Sequence, residues 1–484
     1  MKKVLMLFFM SALTSVISAQ VSGKAGDLDW ILSTDRVLTV SGNGEMPDYS
    51  VVSTPWRQYI SIIEKVIISE GVTHIGNNAF NTSNTDTYNS ALESNIFEVL
   101  MPNTMKSIGE RAFMNCSKLK KVEIPKNVTV IGEYAFYKCE NLESAILSEG
   151  LQNINGYSFY GCKSLPTIVI PNSVESIGNW AFQYCSELES ILIPESVKNM
   201  GWYVFSDCTN LESVIIQDGL TNIGFSSFQY CTNLSSINIP ESVTSIENYA
   251  FEKSGLTTIT IPKSVSIIGD RILGSCKNLV EINVDDTNLS YSSVDGVLYN
   301  KDMTDLIQYP AGKLNSNFTI PNGVEKIVDY AFSNSQHLTS LLIPKSVINI
   351  GSGTFYSSNL INKIIVEWEE PIKLLYNNFF AFNASMCKLM VPQGTSESYK
   401  NAYVWKDFII EEYSVETSIK KLRNTKIDVY GSKNSIIINS EVETKVNIYS
   451  IMGINYTFNV NIGLNEFTMQ KGIYIVNKEK IIVQ

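Results

Sequence analysis

Residues 170–185 read Ile170-Pro171-Asn-Ser-Val174-Glu-Ser-Ile177-Gly178-Asn-Trp180-Ala181-Phe182-Gln-Tyr-Cys185, and after two polar residues the chain continues Leu188-Glu-Ser-Ile191-Leu192-Ile193-Pro194. Apolar side chains fill fixed slots here: Val174, Ile177, Ala181, Phe182, Cys185, Leu188, Ile191 and Ile193. The last of these alternate with period two and stop at a proline, whose missing N–H cannot join a ladder, so the segment predicts a short strand ending at Ile193. Gly178 follows Ile177 where a tight or left-handed turn would suit a residue without a Cβ.

Working outward from Pro171, equivalent positions fall at 102, 125, 148, 194, 217 and 240, each 23 residues from its neighbour. Pro262 arrives one residue early, Asp285 resumes the interval, and Pro321, Pro344 and Glu367 close a series that Ser69 opens, making 13 coils. Near-identical strands at a fixed interval stack in register about 4.8 Å apart as a parallel sheet. No coil buries its apolar face alone, so stability comes from neighbours. The expected fold is a β-rich α/β repeat solenoid, right-handed, with a parallel sheet on one face. Two insertions interrupt it. Residues 81–95 are polar and predict a surface loop, while residues 285–316 hold Gly296–Asn300 and Asp305–Pro310 around a four-residue loop at 301–304, the pattern of a lateral β-hairpin.

The recurring phrase Ile-Pro-x-x-Val-x-x-Ile-Gly-x-x-Ala-Phe-x-x-Cys resembles the BspA-type leucine-rich repeat, most clearly over 170–185 and recognisably from Val66 to about Val366. On that likeness the solenoid spans 66–370, preceded by an amino-terminal cap over 20–65 (Trp30, Gly42, Trp56) and followed by a carboxy-terminal cap over 371–414 (Lys388–Pro392, Tyr399, Trp405). Capping is also a physical need, because an open solenoid end exposes unpaired strand edges. The resemblance implies a non-enzymatic leucine-rich-repeat solenoid that adheres to host matrix or plasma proteins, or to other bacteria, through its repeat surface.

Beyond Ser414 the 23-residue interval is lost and short alternating runs appear at Ile436–Ile438, Val446–Tyr449 and Ile473–Val476, which predicts an all-β sandwich over 415–484. The stretches Lys445–Gly453 and Lys471–Val476 resemble the type A sorting domain of type IX secretion. That likeness implies contact with the secretion machinery, and release from or attachment to the outer surface of a Gram-negative cell.

Composition agrees with an exported, folded chain. At 484 residues it is too long for one compact core, and 44% hydrophobic against 18% charged residues excludes disorder. Lys2 and Lys3, the apolar run Val4–Ile17 and Ser18-Ala19 have the order of a secretory signal, expected to occupy 1–19. The run is too short to span a bilayer, and no later stretch approaches a span. Without Lys2 and Lys3 the balance is 35 basic to 48 acidic residues, −13, which argues against nucleic acid as a partner.

Chemistry-bearing residues fall into rows rather than clusters. Cys116, Cys139, Cys162, Cys185, Cys208 and Cys231 share one slot, with Cys276 in a later coil and Cys387 apart, and the expectation is buried free thiols. No cofactor, metal or catalytic site is expected. His74 and His337 occupy distant coils and read as surface residues without a neighbouring nucleophile, and Glu143, Glu189 and Glu212 form a solvated row. Asp285, Asp286 and Asp295 lack calcium-loop spacing.

Two columns carry the functional expectations. Ile146, Val169, Leu192 and Ile215, with Leu342 and Ile365 later, sit between the two inward positions of each strand and so point outward, edged by Ser144, Thr167, Ser190, Ser213 and Ser236. In other coils Glu123, Asn238 and Thr260 take that slot. Such an apolar stripe suits an extracellular protein ligand, although aliphatics also suit any strand. The alternative is a glycan gripped by an aromatic column, Tyr134, Tyr157, Trp180, Tyr203, Tyr249 and Tyr330, whose rings equally suit covering the turn beneath them.

Overall fold

A computed structural model describes residues 19–83, 92–374, 379, 381–413 and the tail strands from Ile427 to Val483. The expected signal segment lies outside the described residues, save Ala19. The chain forms two compact units, Met1–Cys276 and Lys277–Gln484.

The first unit begins with an antiparallel meander, Val21–Ala25, Leu28–Leu32 and Val37–Ser41. Its third strand pairs in parallel with Lys65–Ile68, and the parallel ladder continues through Glu98–Leu100, Lys121–Glu123 and Ser144–Ile146. Ser190–Ile193 pairs with Ser213–Ile216 in register, so that Leu192 lies beside Ile215. Bridges from Thr167 to Ser190 and from Ile215 to Asn238 continue the same column.

A second, narrow parallel sheet runs through the slot before the glycine: Ser107–Ile108, Val130–Ile131, Asn153–Ile154, Ser176–Ile177 and Asn199–Met200. Sheet structure is therefore not confined to one face. Strands of two residues are too short for alternation to announce them.

Between the sheets the Ala-Phe slot builds the core. Phe80, Phe113, Phe136, Phe159, Phe182, Phe205, Phe228 and Phe251 stack with ring centroids 5.1–5.7 Å apart and planes within 13°. Each is fully buried, which stabilises by roughly 2–3 kcal/mol per ring, with about 0.5–1.5 kcal/mol more per ring pair. Trp56 closes the open end of this column, stacked 5.4 Å from Phe80, and its indole N–H donates to the Ala79 carbonyl at 2.8 Å.

Gly178 corrects a sequence expectation. It does not adopt a left-handed backbone; a Cβ there would lie 2.4 Å from the Gly156 nitrogen of the preceding coil. The glycine is present because adjacent coils touch backbone to backbone. Left-handed conformations fall instead two and six residues later, at Trp180 (φ 56°) and Tyr184 (φ 62°), and at the equivalent positions of other coils. They turn the amides of Trp180, Phe182 and Tyr184 onto the carbonyls of Trp202, Val204 and Ser206 at 2.8–3.0 Å.

The insertion at 81–95 is not wholly a surface loop. Residues 84–91 lie outside the described residues, but Asn81, Thr82, Ser83 and Ser94 are buried. The Arg57 guanidinium donates to the carbonyls of Asn81 and Ser83.

In the second unit the hairpin Val297–Asn300 and Asp305–Gln308 is present, and Tyr291–Val294 adds a third antiparallel strand. The parallel ladder Asn317–Thr319, Ser340–Ile343 and Lys363–Val366 extends into Lys388–Pro392 and Ile409–Tyr413. Both of these last strands lie in the stretch 371–414 read as the carboxy-terminal cap. The short helix Ser396–Asn401 buries Tyr399, whose hydroxyl donates to the Trp368 carbonyl at 2.8 Å. The tail forms two antiparallel sheets, one of three and one of four strands. Ile436 and Ile438 of one and Val446 and Ile448 of the other are buried, and the Phe458 and Phe467 rings meet between them at 4.2 Å.

Candidate functional site

Strand alternation places every second side chain of the outer sheet in solvent. Ile146 is 43% exposed, Val169 77%, Leu192 42% and Ile215 53%, while their inward neighbours Ala145, Ile168, Ile191 and Val214 are at most 7% exposed. Parallel register sets Leu192 beside Ile215, the Thr167–Ser190 bridge sets Val169 one coil before Leu192, and the Asn153–Ser176 pairing of the narrow sheet stacks the coil of Ile146 next to that of Val169. Glu123 and Asn238 bound it, both exposed. In the second unit Leu342 and Ile365 are laterally paired but only half exposed. Leu100 occupies the same slot two coils before Ile146 and is 43% exposed, with Phe97 at the edge of its strand equally so. Extending the 23-residue interval backwards past Glu123 would have found Leu100; nothing in the spacing points to Phe97.

The aromatic column is a different kind of feature. Tyr134, Tyr157, Trp180 and Tyr203 are half-buried and stack face to face at 4.5, 4.8 and 5.6 Å, and Phe225 connects Tyr203 to Tyr249 through a tilted and an edge contact, each at 5.3 Å. Guanidinium groups cover both ends: Arg111 lies 5.3 Å over Tyr134 and Arg271 lies 5.2 Å over Tyr249. Tyr134, Tyr157 and Trp180 are thus covered on both faces, and Tyr203 and Tyr249 on one. Each of the five also has a left-handed backbone, φ 56–60°, which costs an L-residue about 1–2 kcal/mol. The stacking offsets that strain, which is a structural role. In the second unit Tyr330 makes an edge contact with Tyr356 at 6.1 Å. Sequence reasoning overlooked the second aromatic row, Tyr137 stacked on Tyr160 at 4.7 Å, and the exposed Trp202.

The cysteines are all free and buried. The thiols of Cys139, Cys162, Cys185, Cys208 and Cys231 each donate to the carbonyl of the preceding coil's phenylalanine at 3.2–3.3 Å. Ser358 does the same in the second unit, donating to the Phe332 carbonyl at 2.5 Å. Burial pushes the Cys185 thiol up to about 12, so these are inert donors rather than nucleophiles.

His74 departs from the expectation of an isolated surface residue. Its Nδ1 lies 2.8 Å from Ser107 Oγ, and its Nε2 is 3.5 Å from Asp48. The grouping has the composition of a hydrolytic triad but not its setting. Ser176 to Asn153 and Ser245 to Asn222 make the same side-chain contact one coil apart in the same slot, so His74–Ser107 is one rung of a polar ladder. Asp48 is largely exposed and already accepts the Asn77 amide at 2.7 Å. His337 is exposed. Among the described residues no group of three or more His, Cys, Asp or Glu is placed to hold a metal ion, and no helix is long and apolar enough to cross a membrane.

Several known proteins are similar to this chain. The crystal structure of a leucine-rich cell surface protein from Faecalibacterium prausnitzii A2-165 is similar at 24% identity, covering 82% of this chain and 96% of that one, with a TM-score of 0.48. A leucine-rich repeat protein from Bacteroides ovatus ATCC 8483 is similar at 18% identity over 83% of this chain and 100% of its own, TM-score 0.38. The pneumococcal vaccine antigen PcpA is similar at 16% identity over 81% and 99%, TM-score 0.35. Among curated proteins nothing matches the chain. The model of the BspA type leucine rich repeat region, in six copies, matches residues 88–212, 152–280, 198–306 and 309–428. With that match covering more than half of its length, the chain belongs to the BspA-type leucine-rich-repeat family.

Proposed function

We propose that this protein is an exported, non-enzymatic binding protein, an adhesin that holds an extracellular protein against the outer face of its repeat sheet. The observation that carries the reading is the stripe Ile146–Val169–Leu192–Ile215, four aliphatic side chains in adjacent coils, each more than two-fifths exposed. A contiguous apolar strip rimmed by polar groups marks an interaction surface. Host matrix or plasma proteins, or proteins of other cells, are the ligand class the family suggests. The amino-terminal apolar run and the β-rich tail would route the chain through the inner membrane and then type IX secretion, to release or display outside a Gram-negative cell. A glycan reading, which uses Tyr134, Tyr157, Trp180, Tyr203 and Tyr249, is disfavoured because a sugar stacks on an open ring face, and Tyr134, Tyr157 and Trp180 are sandwiched between rings or under arginine, while Tyr203 has Trp180 on one face and Tyr249 has Arg271.

Binding of the full chain to arrays of matrix proteins and of glycans tests the reading, with Leu192→Glu and Trp180→Ala alongside. The proposal expects a protein signal that Leu192→Glu abolishes and Trp180→Ala preserves. A glycan signal lost only in Trp180→Ala, or hydrolysis of any offered substrate, would overturn it.

A further inference from the structure

The apolar stripe is bordered by acid on both sides. Three residues before the outward aliphatic stand Glu143, Glu189 and Glu212; three residues after it stand Glu149, Glu195 and Asp218, and all six are exposed. Among the described residues only Glu143 of these six is ion-paired, with Lys120 at 3.4 Å. The cations nearby are few. Between Cys139 and Glu252 the chain has 13 acidic residues and two basic ones, Lys163 and Lys198, so the remainder of the sequence holds 35 of each sign. Lys163 pairs with Glu140, and Lys198 donates to the Glu195 carbonyl. The acidic excess of −11 thus arises within residues 139–252, the segment that contains the stripe.

Three residues of chain cover at most about 10 Å, so the two acidic rims lie no more than roughly 20 Å apart, with the aliphatic row between them. An α-helix with side chains is about 10–12 Å across, and lysine or arginine at its flanks reaches several ångströms further. Four stripe residues at about 4.8 Å spacing span about 14 Å, the rise of roughly ten helical residues. From this geometry we infer that the partner of the stripe is cationic: an amphipathic helix whose apolar side is edged by Lys or Arg on both flanks. The inference rests on the proposed docking role of the stripe and adds the charge and shape of what docks. Complementary rims raise the encounter rate and exclude acidic partners, while the apolar row supplies the contact that holds.

The test uses the full chain and three 16-residue peptides: a Leu/Lys helix with one apolar side flanked by Lys, the same composition scrambled so that no apolar side forms, and the patterned helix with Glu for every Lys. Binding is read by fluorescence anisotropy at 0.05 and 0.5 M NaCl, against the wild type, a rim variant (Glu189→Gln, Glu195→Gln, Glu212→Gln, Asp218→Asn) and a stripe variant (Val169→Ser, Leu192→Ser). The changed side chains are all exposed, and circular dichroism verifies folding. Expected is binding of the patterned Lys peptide at least tenfold tighter than either control, weakened tenfold or more by salt, by the rim changes and by the stripe changes. Equal binding of the Lys and Glu helices, lost only in the stripe variant, would overturn the cationic partner and leave the docking face standing. Equal binding of the patterned and scrambled Lys peptides, unaffected by the stripe changes, would overturn both.

Discussion

Replacing Gly178 by alanine tests the claim that coils meet backbone to backbone. The Gly178 backbone is outside the left-handed region, so on conformational grounds alanine should help, by about 0.4–1 kcal/mol through the unfolded chain. Packing says the opposite. The new Cβ would sit 2.4 Å from the Gly156 nitrogen and 2.7 Å from the Asn155 carbonyl carbon, where ordinary contact needs about 3.5 Å. Nothing at that point is a flexible side chain, so the coils must part by about 1 Å. The hydrogen bonds clamping them, Gly178 N–H to the Ile154 carbonyl at 2.8 Å and Glu175 N–H to the Gln152 carbonyl at 2.9 Å, would then stretch beyond useful length. Overpacking costs about 1–3 kcal/mol and a stretched buried hydrogen bond about 1 kcal/mol more. Set against the conformational gain, the net expectation is a loss of about 1–3.5 kcal/mol. Urea unfolding gives the global effect, and hydrogen exchange at the amides of Gly178 and Trp180 reports the coil itself. A Gly178→Ala protein as stable as the wild type, with unchanged exchange, would refute the close-approach argument.

Ser226 offers the converse. It is fully buried with φ 53°, and its hydroxyl has no partner among the described residues, so Ser226→Gly should relieve strain and an unpaired hydroxyl and stabilise by about 1 kcal/mol; slower exchange of the Gln229 amide, which donates to the Ser226 carbonyl, is the check, and faster exchange would count against it. The thiol column predicts alkaline sensitivity. Folded Cys116 and Cys185 are held near 12 by burial, whereas an unfolded thiol ionises near 8.5; above that pH the unfolded chain releases protons that the folded chain keeps, so stability present below pH 8.5 is lost as pH rises through 12, by about 2 kcal/mol per thiol at pH 10. A Cys185→Ser, Cys208→Ser protein should show a shallower fall in urea midpoint between pH 9 and 11, and parallel curves would contradict the assignment.

Much of this molecule was legible from spacing alone. A 23-residue interval with its strand-like ending placed Ile191 and Ile193 inward and Leu192 outward, because period two leaves no other arrangement for a sheet packed on one side. The hairpin around residues 301–304 followed from alternation broken by a polar loop. What spacing conceals is the distance between residues one coil apart. Only stacked coils show that Gly178 is excluded from bearing a side chain by Gly156, that Ser107 gives His74 a ladder partner, and that Arg111 and Arg271 cover the ends of the aromatic stack. The carboxylates flanking Leu192 were likewise visible as letters, but became two rims around an apolar row only once the register set Leu192 beside Ile215. Chain periodicity determines which way a side chain points; inter-coil packing decides what it meets there, and that depends on contacts between segments that share no local sequence.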